Sequence, residues 1–211
     1  MLPRSNWLCR LGLVFLLSGL GAGLMIAAVP VSAADEVGIT PEMASVTIET
    51  RNGPVTITRN QDPNAVVEPT FAKTSRKCPP FCIEPMNLGD GVTTVAELEV
   101  ISFLKEKKGI VVDARTQDWY LRSTIPGSVN IPYTEIGSRL SELGCNKSGE
   151  GWECAAAKNV LLFCNGPWCS QSPTAIQTLR KAGYPGEKIF YYRGGMQDWL
   201  ILGLNTVDGD L

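Results

Sequence analysis

A chain of 211 residues without a single histidine has no Ser-His or Cys-His dyad, no imidazole base and no histidine-bearing metal site. Its net charge of -2 offers no basic face to nucleic acid. Chemistry must come from Cys, Asp, Glu, Lys, Arg, Tyr and the backbone, and the composition calls for no cofactor and no metal. The chain begins like an export signal over residues 1–33. Arg4 and Arg10 give a positive start, Leu11 to Val29 form an uncharged apolar run, and Pro30 precedes the small-residue pattern Val31-Ser32-Ala33. This pattern predicts cleavage after Ala33 and a periplasmic or otherwise extracytoplasmic protein. The alternative is an uncleaved signal acting as a membrane anchor, since the run is nearly long enough to span a bilayer.

Residues 34–90 form an extension. Two alternating β-branched runs around Arg51-Asn52-Gly53-Pro54 predict a hairpin. Pro63, Pro69, Pro79, Pro80 and Pro85 then predict an irregular strap, which carries the CxxxC pair Cys78 and Cys82. That spacing is looser than a redox or zinc CxxC and favours a small disulfide or two buried thiols over a reactive pair. Outside the signal six cysteines remain, enough for 15 complete pairings. Cys145 and Cys154 flank the polar stretch NKSGEGWE and are expected to form a structural disulfide. Closing so short a loop contributes about 2.5–3 kcal/mol on the chain-entropy argument.

Residues 91–207 are regular, followed by a tail at 208–211. Thr94 and Glu97 read as a capping box, with Val95, Leu98, Ile101 and Leu104 on one helical face. GIVVDA has the look of a buried parallel strand. A short helix at Gln117 to Arg122, a strand SVNIP, and a helix through Ile136, Leu140 and Leu143 follow. NVLLFC is a third strand and runs into CNGPWCSQSP. Ser172 reads as the cap of the next helix, with Pro173 as its first residue and Gly183 at its end. KIFYYRGG is a fourth strand, and a last helix contains Met196 and Trp199 as core residues. Strands alternating with helices predict an α/β layer with a mostly parallel sheet.

Cys164 ends its strand, and ligands in open α/β sheets sit beyond the carboxyl ends of strands. A loop and a helix N-terminus after it direct backbone N–H groups and a positive dipole end toward the sulfur. Such surroundings favour thiolate over thiol and hold an anion, including a terminal persulfide. Gly166 allows the backbone bends that such convergence needs. The candidate site is therefore Cys164 with Asn165, Gly166, Pro167, Trp168, Cys169 and Ser170. Against this stands the reading of Cys164 as a buried structural cysteine. Trp168 is read equally as a pocket wall or as core cover, and Arg193 is a supporting candidate that could face the site from the end of its strand, with a solvated ion pair as the favoured alternative.

The stretches VVDAR, TIPGSVNIP, FCNGPWCSQSP and YYRGGMQDW give the segment from about Val92 to Leu204 a resemblance to the rhodanese (thiosulfate sulfurtransferase-like) domain. The resemblance implies a three-layer α/β fold with a mostly parallel central sheet, to which the hairpin-bearing extension is added. It implies a Cys164 persulfide, fed by a small sulfur donor and emptied by a thiol or protein acceptor. It implies architectural roles for Asp113 and Arg115, as an ion pair beside the site, and for Gly194 and Gly195. Two positions depart from the family's pattern. Cys169 stands where many members carry a loop arginine, which removes a bidentate grip on an anionic donor such as thiosulfate and adds a second thiol. Thr124 stands where a histidine often precedes the IPG motif. Ser170, where a cysteine-loop phosphatase needs arginine, excludes phosphoryl chemistry. Thiol–disulfide exchange through Cys164 and Cys169 is a second function class. A non-catalytic sulfur or copper(I) carrier, or a partner-binding module, is the third.

Overall fold

The computed structural model of the chain describes residues 36–77 and 79–210, so the expected signal and Cys78 lie outside the described residues. Asp35–Leu211 cluster as one unit. Strands β1 (Ser45–Thr50) and β2 (Gly53–Thr58) pair antiparallel as the expected hairpin, with Thr50 opposite Gly53. The following strap has one 3-10 turn, Pro80–Cys82. Then come β3 (Thr93–Val95), α1 (Glu97–Lys105), β4 (Ile110–Asp113), α2 (Gln117–Arg122) and β5 (Val129–Asn130). A hairpin of β6 (Asn146–Ser148) and β7 (Gly151–Glu153) leads to β8 (Val160–Phe163), α3 (Gln171–Lys181), β9 (Ile189–Tyr192) and α4 (Gly195–Ile201).

The central sheet has the order β3-β9-β8-β4-β5, and every pairing in it is parallel. Because successive side chains in a strand alternate faces, the apolar runs of β4, β8 and β9 feed two cores at once. Val112, Val160, Leu162 and Tyr191 meet Ala175, Ile176 and Leu179 of α3, together with Ile136, Leu140 and Leu143. Val111, Leu161, Phe163 and Tyr192 meet α1, α4 and, unexpectedly for an appended extension, Val46, Ile48, Ile57 and Phe71. The hairpin thus seals one face of the sheet. Burying both faces accounts for strand sequences without a polar alternate.

Several local expectations are corrected. Thr94 is not a helix cap but lies in β3 opposite Tyr191, since the β-branched Thr93-Thr94-Val95 run completes the sheet edge. The helix starts two residues later, with the Ala96 N–H donating to the Glu99 carboxylate at 3.1 Å. Its buried face is Val100, Ile101 and Phe103, while Leu98 is 49% exposed. Ile136, Leu140 and Leu143 are all buried, but the segment is a run of tight turns ending in a 3-10 turn at Leu140–Leu143. The Cys145–Cys154 disulfide is present, buried beneath the β6–β7 hairpin. Cys82 is also disulfide-bonded.

Candidate functional site

Strands β4 and β8 lie side by side and end together, Asp113 opposite Phe163. The chain leaving β8 enters a loop, Cys164 to Ser170, that closes on the start of α3. Two contacts hold its first half against the start of α4: Met196 N–H donates to Cys164 O and Gln197 N–H to Asn165 O, each at 3.0 Å. So close an approach requires glycine. A Cβ on Gly195, whose φ is +56°, would sit 2.2 Å from Cys164 O and 2.8 Å from Gly166 N. Gly166 itself has φ +150°, and Cys169 N–H closes the turn onto its carbonyl at 2.9 Å.

The cap of α3 is Ser170 rather than Ser172. The loop reaches helical geometry earlier than the Ser-Pro signal implies, so Ser172 falls inside the first turn. Its fully buried hydroxyl donates to Cys164 Sγ at 3.0 Å. Sequence reasoning missed this partner because a Ser before Pro is read first as a cap. It missed equally that buried Tyr191 of β9 stands close enough to Cys164 and Ser172 for both to influence its phenol.

The two loop cysteines are neighbours and reduced. Cys164 is 1% exposed and Cys169 6%. The Cys164 thiol donates to the carbonyl oxygen of Cys169 at 3.5 Å, and the Cys169 thiol to Gln171 Oε1 at 3.6 Å. Burial, and then the adjacent Cys169, pushes the Cys164 thiol well above its ordinary value, partly opposed by the hydroxyl and N–H of Ser172. Cys169 is lowered to about 7, chiefly by the Cys164 hydrogen bond, assisted by the N–H groups of Gln171 and Asn165 and by the positive Arg115. This corrects the expectation that the loop amides ionise Cys164. They act on the sulfur five residues later, so that Cys169 ionises more readily than Cys164. The physical cause is depth: Cys164 sits on the sheet, where desolvation dominates, while Cys169 sits in the loop that supplies the donors.

Asp113 and Arg115 form a buried ion pair at the end of β4. Arg115 Nε donates to both carboxylate oxygens (2.9 and 3.1 Å) and its second terminal nitrogen to Oδ2 at 2.5 Å. Arg115 also reaches Ser123 O at 2.6 Å and the loop's Asn165 Oδ1 at 3.3 Å. Thr124 takes part where the histidine is missing, its hydroxyl donating to Asp113 Oδ2 at 2.8 Å. Arg193 is half-buried, and its observed partners are backbone carbonyls rather than a carboxylate. It donates to the strap carbonyls of Phe81, Cys82 and Glu84 at 2.8–3.1 Å. Trp168 is half-buried over the loop: its indole N–H donates to Gln197 at 2.7 Å, Gln197 donates to Phe71 O, and the Arg76 guanidinium lies 3.8 Å from its ring centre. The strap therefore lies against the active loop, held by side chains that reach for backbone carbonyls, and a backbone acceptor leaves no mark in the sequence. Among the described residues no group of three or more Cys, Asp or Glu could hold a metal ion.

Comparison with known proteins places this geometry. A family model described as "Rhodanese-like domain" matches residues 97–202. An HTH-type transcriptional regulator of Mycobacterium tuberculosis is 27% identical over 122 residues, covering 58% of this chain and 48% of the regulator. An adenylyltransferase and sulfurtransferase of Arabidopsis thaliana is 27% identical over 126 residues, covering 57% of this chain and 26% of the plant protein. The chain thus spans half or less of the length of these relatives. Among solved structures, thiosulfate sulfurtransferase from Pseudomonas aeruginosa aligns with a TM-score of 0.45 at 26% identity, over 56% of this chain and 21% of that one. A human single-domain sulfurtransferase aligns with a TM-score of 0.39 at 25% identity, over 51% and 95%.

Proposed function

The chain belongs to the rhodanese-like domain family, and on that premise we propose that it moves sulfane sulfur from a donor such as thiosulfate to a thiophilic acceptor, through a persulfide on Cys164, outside the cytoplasm. The observation that carries the proposal is the sulfur pair at the carboxyl end of β8, ringed by Ser172, Asn165 and Gln171. A histidine-free site needs another group to take the Cys164 proton. Cys169, lowered to about 7 beside that thiol, is the group we assign. Once ionised, Cys164 attacks the outer sulfur of the donor, the donor's S–S bond breaks, and sulfite leaves. Ser172 then donates to the loaded sulfur from the position it already holds. The export-signal pattern of residues 1–33 supports the location, which fractionation together with N-terminal sequencing would test: a mature chain starting at Ala34 is expected.

Persulfide formation is checked by mass spectrometry after exposure to thiosulfate and to other donors. Wild type gains one sulfur on Cys164 at the earliest times after mixing. Cys164→Ser gains none. Cys169→Ser still loads, but more slowly near neutral pH, because its proton acceptor is gone. Loading that survives Cys164→Ser sinks the proposal. The contact between two reduced thiols also favours a second reading, thiol–disulfide exchange without sulfur loading. A Cys164–Cys169 bond that cycles with an external thiol, in a protein that never takes up sulfur, would establish that reading instead.

A further inference from the structure

Cys169 shares the buried loop with Cys164, whose thiol donates to the Cys169 carbonyl oxygen at 3.5 Å, and the two side chains lie near enough to shift each other's ionisation. A persulfide on Cys164 would have two electrophilic sulfurs, the inner Sγ and the added outer one. Cys169 is held beside the inner sulfur, which stays in place when the outer one is added. Leaving groups point the same way, because thiol–disulfide displacements run faster when the departing sulfur is the weaker base. Attack on the outer sulfur must expel the Cys164 thiolate, which burial makes a strong base. Attack on the inner sulfur expels hydrosulfide, a weaker base that water can solvate. The attacking thiolate is also well matched, since nucleophilic thiols work best with a pKa near ambient pH, and Cys169 lies at about 7.

Resting on the sulfur-loading half of the function proposed above, we infer that Cys169 resolves the Cys164 persulfide, so that the sulfane sulfur leaves as hydrosulfide and the loop is left as a Cys164–Cys169 disulfide. After loading, the proton on Cys169 passes to the outer sulfur, giving Cys164–S–SH beside the Cys169 thiolate. The Cys169 sulfur then bonds to Cys164 Sγ, the bond between Sγ and the outer sulfur breaks, and its electron pair departs with HS⁻. The two cysteine sulfurs are oxidised and the sulfane sulfur is reduced. An external dithiol closes the cycle by reducing the new disulfide and becoming a disulfide itself. The protein is then a sulfane reductase that draws electrons from a dithiol partner, and the loop arginine of its relatives gives way to a thiol because the loop must do redox work.

A single-turnover experiment tests this on the full chain, reduced and freed of reductant, then mixed with thiosulfate in a sealed vessel, with hydrosulfide measured in the protein-free filtrate by monobromobimane. Wild type is expected to release one hydrosulfide per chain and to end two hydrogens lighter than the reduced protein, with Cys164 and Cys169 both closed to iodoacetamide. Cys169→Ser is expected to retain the added sulfur and release no hydrosulfide. Cys169→Ala, checked for native circular dichroism, repeats that result with a side chain that cannot hydrogen-bond. A wild-type persulfide that persists without hydrosulfide overturns the resolving role while leaving sulfur loading intact. Hydrosulfide release from Cys169→Ser equal to wild type does the same. A wild type that neither loads sulfur nor releases hydrosulfide overturns the sulfur-transfer reading, and this inference with it.

Discussion

Two buried polar clusters stand at the ends of adjacent parallel strands, and they are built on opposite principles. At the end of β4, Asp113 and Arg115 saturate each other, and what remains of their hydrogen-bonding capacity is met by Thr124, Ser123 and Asn165. At the end of β8, two soft sulfurs share one loop, with the Ser172 hydroxyl and the Cys169 carbonyl on Cys164 and a few amides beside Cys169. A saturated hard cluster has no reason to react and holds the loop's base in place. A pair of neighbouring thiols, one of which ionises near neutral pH, is poised to react. The same topology thus places scaffold and chemistry side by side, joined by the Arg115–Asn165 contact.

The comparison is most easily broken on its hard side. Asp113→Ala leaves the Arg115 guanidinium, 1% exposed, without its counter-charge, and breaking a buried pair in this way costs about 3–5 kcal/mol. A thermal midpoint lower by roughly 10 °C or more is expected for a domain of this size, measured by calorimetry, whereas Cys164→Ser should move it far less. Equal losses would mean that the sulfur pair is scaffold too. Next in size is Gly195→Ala. The left-handed φ alone costs about 1–3 kcal/mol, and the added Cβ collides with the backbone of Cys164 and Gly166. The variant should lose stability and slow sulfur loading together, because the same loop carries both.

Much of this contrast was legible before the structure. The runs VVD, VLLF and IFYY announce buried parallel strands, and the strand-loop-helix order alone puts Cys164 at the sheet's working end. The disulfide of Cys145 with Cys154 follows from a short polar spacer. What escaped depends on direction rather than residue type. Whether the amides of Asn165 and Gln171 face one sulfur or the other is set by loop dihedrals, including that of Gly166. Ser172 carries the same letters whether it caps a helix or donates to a sulfur. Thr94 could serve a cap or a strand equally well in the local pattern, and pairing with β9 decided it. The hairpin's membership of the core was invisible because the helix and strand residues that share its cluster, from Val100 onward, lie more than forty residues further along the chain.

The soft side is sharpened by pH. Cys169 is lowered from an ordinary value of 9.0 to about 7, so its iodoacetamide labelling, followed by peptide mapping, should rise through that pH. Cys164→Ala removes the leading cause of the lowering and should move the midpoint upward. Stability follows with a definite sign. Between about 7 and 9 the unfolded chain holds the Cys169 proton that the folded chain has lost, so stability rises with pH, is fully present above 9, and is lost as pH falls through about 7. Cys164 acts oppositely above 9, where the folded chain keeps a proton that the unfolded chain gives up. A denaturation midpoint that is flat across this range, or a labelling midpoint unmoved by Cys164→Ala, would mean that the two thiols do not shift each other's ionisation.

The smallest effect belongs to the strap. Arg76 stacks on Trp168, yet its Nε is the one buried side-chain nitrogen or oxygen among the described residues without a hydrogen-bond partner, so the contact rests on the ring and on the bond from its terminal nitrogen to Thr70 O. Such a stack is worth about 0.5–1 kcal/mol at a partly exposed site. Arg76→Ala should therefore barely shift the thermal midpoint while quickening alkylation in the loop beneath Trp168. Faster labelling at unchanged stability would identify the strap as a cover that opens without unfolding. A fall in stability as large as that of Asp113→Ala would instead make it part of the scaffold, and the line between the two clusters would have to be redrawn around it.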